Sequence, residues 1–343
     1  MFSAARRLLF TLPPERAHDV TFGSLDWLVR AGGGRLFPKR IEAPREVLGL
    51  RFPNAVGVSA GLDKNGDHIR SLAALGFGFL ELGTVTPVAQ PGNPTPRLFR
   101  LPAHQALINR LGFNNEGLSH LCSAVRDASP GIDVPIGVNI GKNRDTPLER
   151  AADDYQACLE AVHGIADYIA VNLSSPNTPG LRALQAGDDL TGLIHRLRGR
   201  CDELQAESGR HVPLVVKIAP DLDDDAIRWL VDALQEAGID GITATNTTID
   251  HTLVEGARHA DENGGLSGRP LRARATDVVA RIREHAGPDL PIIAVGGIMS
   301  GEDAVEKIDA GADLIQIYTG LIYEGPGLIR DAARSIHDQC DRR

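Results

Sequence analysis

Eight short apolar runs, separated by stretches of helical periodicity, limit what this chain can become. They are Ala55 to Ser59, Phe79 to Thr84, Ile136 to Ile140, Tyr168 to Asn172, Leu214 to Ile218, Gly241 to Thr245, Ile292 to Val295 and Leu314 to Tyr318. Runs this short, apolar without alternation, read as strands buried on both faces, the signature of a parallel sheet. Segments between them, such as DLDDDAIRWLVDALQEAG from Asp221 to Gly238, carry a helix start, a helical period and a terminal glycine. Strand and helix alternating eight times with right-handed crossovers close most simply as an α/β fold, a (β/α)8 TIM barrel. The barrel is expected over residues 41–343, with a small helical segment over 1–40. VLGLRF and NAVGVSAG are expected to open the barrel region as a hairpin-like pair.

A barrel brings the C-terminal ends of its strands to one face, where pockets of this fold are built. Those ends are polar or glycine almost throughout. In order they carry Ala60 to Lys64, Thr84, Asn139, Asn172 to Asn177, Lys217, Thr245 to Thr247, Gly296 with Gly297, and Tyr318 to Gly320. The densest end is NLSSPNTPG, where two amides and two hydroxyls follow a strand within six residues and Pro176 and Pro179 stiffen the turn. By itself it is equally an Asx-rich turn, but seven further polar ends make it part of a pocket. Glycines after the seventh and eighth strands leave backbone N–H groups for a phosphate, although they also suit tight turns. GGLSGRP, from Gly264 to Pro270, offers another close backbone approach. Lys217 fits two roles, a Schiff-base amine as in an aldolase or a fixed cation beside a cofactor ring. The amide-rich surroundings, with no obvious carboxylate or histidine base, favour the second.

Charge and cysteine placement exclude other classes. A net charge of −9 argues against nucleic acid as a partner. Seven basic and three acidic residues put residues 1–40 at +4, so the remainder carries −13, an asymmetry suited to contact with a membrane surface. No run is long enough to span a bilayer, and Leu8 to Phe10 is too short a core for an export signal, so an intracellular protein is expected. The four cysteines form no CxxC pair and the histidines no ligand spacing, so no metal is expected.

Pro13 and Pro14 introduce the helical stretch ERAHDVTFGSLDWLVR, closed by Gly32 to Gly34. Glu15, Arg16, Asp19, Gly23, Asp26 and Arg30 fall on one narrow polar face, and the rest is apolar over more than half the circumference. Two apolar contacts are implied, one with the body and one with a second helix (Ser3 to Thr11), a lipid surface or an apolar ligand. His18 lies in the apolar arc, as a core histidine or a ligand contact.

Several motifs together resemble the dihydroorotate dehydrogenase family. They are AGLDKNG (Ala60 to Gly66), the stretch from ELGTVTP to PRLFR (Glu81 to Arg100), NRLGFNN (Asn109 to Asn115), NIGKN (Asn139 to Asn143), NLSSPNTPGLR (Asn172 to Arg182), KIAPD (Lys217 to Asp221), ATNTT (Ala244 to Thr248), GGLSGRPL, VGGI and QIYTG. The resemblance covers essentially the whole chain. LPPERAHDVTF further resembles the quinone-dependent, membrane-associated class, in which serine takes the base position; Ser175 matches it.

The resemblance implies oxidation of (S)-dihydroorotate to orotate in pyrimidine (UMP) biosynthesis, with a membrane quinone as acceptor. It implies FMN held by Ala60, Gly61, Leu62, Asp63, Lys64, Thr84, Asn139, Asn172, Lys217, Thr245, Gly268, Gly297, Tyr318 and Thr319. It places the substrate on Lys64, Asn109, Arg110, Leu111, Gly112, Phe113, Asn172, Asn177, Asn246 and Thr247. Amides can read both edges of a planar pyrimidine and Lys64 can pair with its carboxylate. Ser175 would take the C5 proton as hydride leaves C6 for flavin N5, helped by Thr178 or a water relay because serine is a weak base. Thr178 to Gly187 reads as a lid. His18 and Arg100 match positions lining a quinone tunnel in the family. Residues 1–40 would make a peripheral contact with the cytoplasmic face of the cell (inner) membrane, and no partner protein is implied.

Overall fold

The computed structural model describes residues 2–178, 180–185 and 187–341. Eight parallel strands close into a barrel: β1 (Val56–Val58), β2 (Phe79–Val85), β3 (Ile136–Ile140), β4 (Tyr168–Asn172), β5 (Leu214–Ile218), β6 (Gly241–Ala244), β7 (Ile292–Val295) and β8 (Leu314–Ile317). They pair in chain order, and β8 returns to β1 through Ile315 opposite Val56. Every residue of these strands is buried, which is why the runs are apolar without alternation. Large residues fill the interior: Tyr168, Phe79 and Phe52 are fully buried, and Gly57 and Gly137 make room for the Phe79 and Tyr168 rings. Crossover helices begin where local chemistry starts them. Asp223 and Ser300 accept hydrogen bonds from the N–H groups of Ala226 and Asp303, capping the helices Asp224–Glu236 and Gly301–Asp309.

The hairpin lies elsewhere than the sequence suggests. Arg45–Val47 pairs antiparallel with Leu50–Phe52 around Leu48 and Gly49, both at positive φ. VLGLRF thus turns back on itself, and the following NAVGVSAG supplies the first barrel strand. A second sheet has no counterpart in the sequence reading. Leu98–Leu101, Ala106–Asn109 and Gly265–Gly268 form three antiparallel strands from the loops after β2 and β6, with their own small apolar core at Phe99, Leu101, Ile108, Val254 and Leu266. This sheet walls one side of the barrel mouth.

Two helices precede the barrel, α1 (Phe2–Leu9) and α2 (Pro14–Arg30), the latter with Pro14 in its first turn and Gly32 in a left-handed conformation just beyond its end. The expected polar face of α2 does not simply face water. Glu15 accepts hydrogen bonds from Arg97 at 2.7 and 2.9 Å, and Asp26 pairs with His68 at 2.7 Å and accepts from the Ser71 hydroxyl. Both carboxylates therefore dock the helix on the barrel. Val20 and Trp27, assigned to the apolar arc, are instead exposed, as are Leu8 and Leu36. Phe10, just beyond the end of α1, meets Tyr323 of the segment Thr319–Glu324 edge-on, and the gap between the two helices is an apolar cavity.

Candidate active site

The strand ends form a cleft of about 1000 Å³, open mouth included. Its floor is a chain of side-chain amides contributed by β3, β4 and the end of β6. Asn139 on β3 donates to Glu81 Oε1 at 2.9 Å; its Oδ1 accepts from the Thr84 hydroxyl at 2.5 Å and from Asn172 Nδ2 at 3.2 Å. Asn172 Oδ1 in turn accepts from Asn246 Nδ2 at 3.3 Å and from Ser174. Each amide fixes the orientation of the next, so which edge presents N–H and which C=O is settled before any ligand binds. Across the cleft Asn177 Nδ2 donates to the carbonyl and side-chain oxygens of Asn109 at 3.1 and 3.2 Å.

Beneath this floor lies a charged pair. Glu81 Oε2 accepts from Tyr168 Oη at 3.0 Å and from Gln316 Nε2 at 2.6 Å, while Oε1 lies 3.9 Å from Lys217 Nζ. Lys217 also donates to Ser59 Oγ at 3.2 Å. Burial pushes the Lys217 ammonium below the usual lysine range and Glu81 opposes that shift. The expectation of a site without a carboxylate is thereby corrected: Glu81 is wholly buried under Lys217. Its signal was legible, a charged residue inside the apolar run FLELG.

The predicted residues divide by where their side chains point. Ala60, Gly61, Lys64, Thr84, Asn172, Lys217, Thr245, Gly268, Gly297, Tyr318 and Thr319 line the cleft, as do Asn109, Leu111, Gly112, Phe113, Asn177, Asn246, Thr247 and Ser175. Asn139 acts from behind, through Thr84 and Asn172. Leu62 lines the apolar cavity instead. The Asp63 carboxylate turns away and accepts from the N–H groups of Gly66, Asp67 and His68, holding the loop that aims Lys64. Arg110 points outward to Glu262 at 2.6 Å with its guanidinium over Phe99. Sequence reasoning passed over Ser59, Ser267, Gln316 and Pro176, which also line the cleft.

Lys64 is part-buried and forms no hydrogen bond within the described chain; burial pushes its ammonium down to about 8. Ser175 is buried, and its oxygen accepts from the Asn177 N–H at 3.2 Å. Thr178, expected to assist it, is buried but makes no hydrogen bond to it among the described residues. The lid expected over 178–187 contains a 3-10 turn, Leu181–Gln185; Pro179 and Ala186 lie outside the described residues.

The cleft contains buried polar groups without partners. Thr247 Oγ1 and Gln316 Oε1 are buried without partners, and the N–H groups of Gly296 and Gly297 make no hydrogen bond among the described residues. Gly297 is irreplaceable in this conformation, since a Cβ would lie 2.2 Å from the Arg272 backbone at a φ of +76°. A planar, hydrogen-bonding group ending in a phosphate fits this arrangement of amides, lysine and free backbone donors.

Behind Tyr318 the cavity between α1 and α2 encloses about 1400 Å³, again counting its open end. Leu9, Phe10, Phe22, Leu25 and Leu28 form its walls, with His18 and Arg100 as polar groups upon them. A ring nitrogen of His18 hydrogen-bonds the Leu62 carbonyl at 2.8 Å, and Arg100 donates to the Leu12 carbonyl at 2.8 Å while covering the Phe10 ring. Cavity and cleft share Tyr318. Among the described residues no cluster could hold a metal ion, and no helix is long and apolar enough to cross a membrane.

Comparison with known proteins gives one consistent result. Residues 43–339 match the family described as dihydroorotate dehydrogenase. The chain is 54% identical over 341 residues to a dihydroorotate dehydrogenase (quinone) of Marinobacter nauticus, covering 99% of each chain. It is 54% identical over 338 residues to one of Pseudomonas aeruginosa, covering 98% of each. Among solved structures, DHODH from Eimeria tenella in complex with ferulenol superposes with a TM-score of 0.87 at 37% identity, covering 98% of this chain and 95% of that one.

Proposed function

The chain belongs to the dihydroorotate dehydrogenase family, and from that premise we propose that it oxidises (S)-dihydroorotate to orotate, with a quinone as electron acceptor, in pyrimidine biosynthesis. The observation that carries this reading is the convergence of the fixed amide chain, Lys64 and Ser175 on one cleft that backs onto an apolar cavity. The family works with a flavin, and FMN is the form proposed here; bound in the cleft, it supplies the hydride acceptor. Gly268, Gly296, Gly297 and Thr319 would take its phosphate, Thr84, Asn172 and Thr245 its ring edge, and Lys217 would stand as the cation beside the ring. The aldolase alternative is not favoured, because Lys217 is already engaged by Ser59 and Glu81.

On the substrate side, Asn109, Asn172, Asn177 and Asn246 present donors and acceptors in fixed order to a flat ring, and Lys64 meets its carboxylate. Ser175 Oγ takes the proton from C5 as its own hydroxyl proton passes to a water relay. Its accepted hydrogen bond from the Asn177 N–H stabilises the negative charge that gathers on that oxygen as the hydroxyl proton leaves. Replacing Ser175 by alanine should slow reduction of the bound flavin by dihydroorotate by about 10²- to 10⁴-fold in anaerobic stopped flow. A wild-type rate in that variant would remove Ser175 from the role.

Residues 1–40 are proposed as the acceptor-access segment and 41–343 as the catalytic barrel. The cavity between α1 and α2 suits a quinone, with His18 and Arg100 as the polar groups near its head. Leu8, Val20, Trp27 and Leu36 are exposed on this segment beside the exposed cations Arg7, Arg30, Arg35 and Lys39. Apolar side chains flanked by cations suit a peripheral contact with anionic lipid, proposed here as the cytoplasmic face of the cell membrane.

A further inference from the structure

One arginine outside the cleft ties together three of the loops that build it. Arg182 lies in the turn Leu181–Gln185 and is mostly buried. Its Nε donates to the Ser174 carbonyl at 3.1 Å, on the peptide that leads into Ser175. One Nη2 hydrogen reaches the carbonyl of Thr247 at 2.8 Å, and Nη1 meets Asp221 Oδ2 at 2.7 Å. These acceptors follow β4, β6 and β5 respectively. Asp221 is itself immobilised: it accepts from Arg274 at 2.9 Å, from the Thr248 hydroxyl and from the Ile249 N–H at 3.1 Å. A second tie holds the same turn, with Gln185 Oε1 accepting from the Ala219 N–H at 3.0 Å.

From this geometry we infer that Arg182, held by Asp221, is a positioning residue for proton abstraction, fixing the Ser174–Ser175 peptide against Thr247. The inference deepens the proposed role of Ser175 and rests on it. A guanidinium suits the task because its N–H groups point in fixed directions in one plane and can meet three acceptors at once, whereas an ammonium is a point donor on a flexible stem. Two of the acceptors are the carbonyls of Ser174, beside the reacting serine, and of the substrate-facing Thr247, so losing the clamp shifts both relative to the substrate. A shift of about 1 Å at such a site costs on the order of 10²-fold in rate. The effect belongs to the dihydroorotate half-reaction alone, because the Arg182 partners all lie away from the apolar cavity.

The test uses the flavin-loaded enzyme and its Arg182→Gln, Arg182→Lys, Asp221→Asn and Arg182→Gln/Asp221→Asn variants. Flavin reduction by dihydroorotate should slow by about 10²-fold in Arg182→Gln and be poorly rescued by lysine, with reoxidation by a short-chain quinone unchanged. The double variant should be no slower than the slower single one, since both break one clamp. Amide exchange over residues 174–178 should rise in each variant at unaltered global stability. Unchanged reduction, equal losses in both half-reactions, or multiplicative effects in the double variant would each overturn the inference. Ser175→Ala run alongside separates the two ideas: if it reduces at the wild-type rate the base assignment fails, and the clamp is then judged by amide exchange and by the orotate titration of the flavin spectrum.

Discussion

Replacing Glu81 by glutamine removes one charge and one acceptor from the bottom of the barrel at nearly constant volume. The carboxylate takes hydrogen bonds from Asn139, Tyr168 and Gln316 and faces Lys217 at 3.9 Å, all out of contact with water. An amide has one oxygen where the carboxylate has two, so its NH₂ must point at a donor on one side or the other. Lys217 loses its opposing charge in the same step. Breaking a buried pair in this way costs about 3 to 5 kcal/mol. For a chain of 343 residues the unfolding entropy is about 0.7 kcal/mol per degree, which converts that loss to a fall of about 4 to 7 °C in Tm. Lys217, already below the usual lysine range through burial, moves further down without Glu81, so the variant should also retain flavin poorly. Differential scanning calorimetry of Glu81→Gln, Lys217→Met and the double variant measures this. The double variant should recover part of the loss, because neither charge is then stranded. A drop below about 1 kcal/mol in Glu81→Gln, or strict additivity in the cycle, would refute the reasoning.

Gly297→Ala should give folded protein with substoichiometric flavin, since a Cβ would overlap the Arg272 backbone at 2.2 Å; an unchanged ratio of flavin to protein absorbance refutes it. Lys64 carries its charge below its value of about 8 and loses it above. Hence kcat/KM for dihydroorotate should fall about tenfold per pH unit beyond that point, and a flat profile there would exclude Lys64 as the carboxylate's partner. Deleting residues 1–40 should raise the quinone KM by about tenfold or more, since about 1.4 kcal/mol of lost apolar contact suffices, while sparing flavin reduction. Equal loss of both half-reactions would show that the barrel itself had been damaged.

The barrel was legible because a strand buried on both faces holds mostly apolar residues, with polarity gathering towards its C-terminal end. Most of the cleft followed from that rule. The antiparallel sheet over the mouth was not legible, because Gly265–Gly268 pairs with Ala106–Asn109 from more than a hundred residues away and each strand has only four residues. How α2 docks was not legible for a different reason. A helical wheel sorts residues by polarity, yet Glu15 and Asp26 meet Arg97, His68 and Ser71 on the barrel, so the polar arc is partly the inner one. Leu62, Asp63 and Arg110 belong to the right loops, yet their side chains turn away from the cleft, which no motif can tell.

Among the described residues Tyr318 is the one common to the cleft and the apolar cavity, and it stands between two compartments. One is polar and stocked with fixed amides; the other is lined with hydrocarbon. A water-soluble anion has no reason to cross into the second, nor a lipid-soluble ring into the first. The partition is therefore one that charge can traverse and reactants cannot. Orotate lingering on one side should leave the acceptor's access on the other side unhindered, so the two half-reactions can be inhibited independently by molecules of opposite solubility.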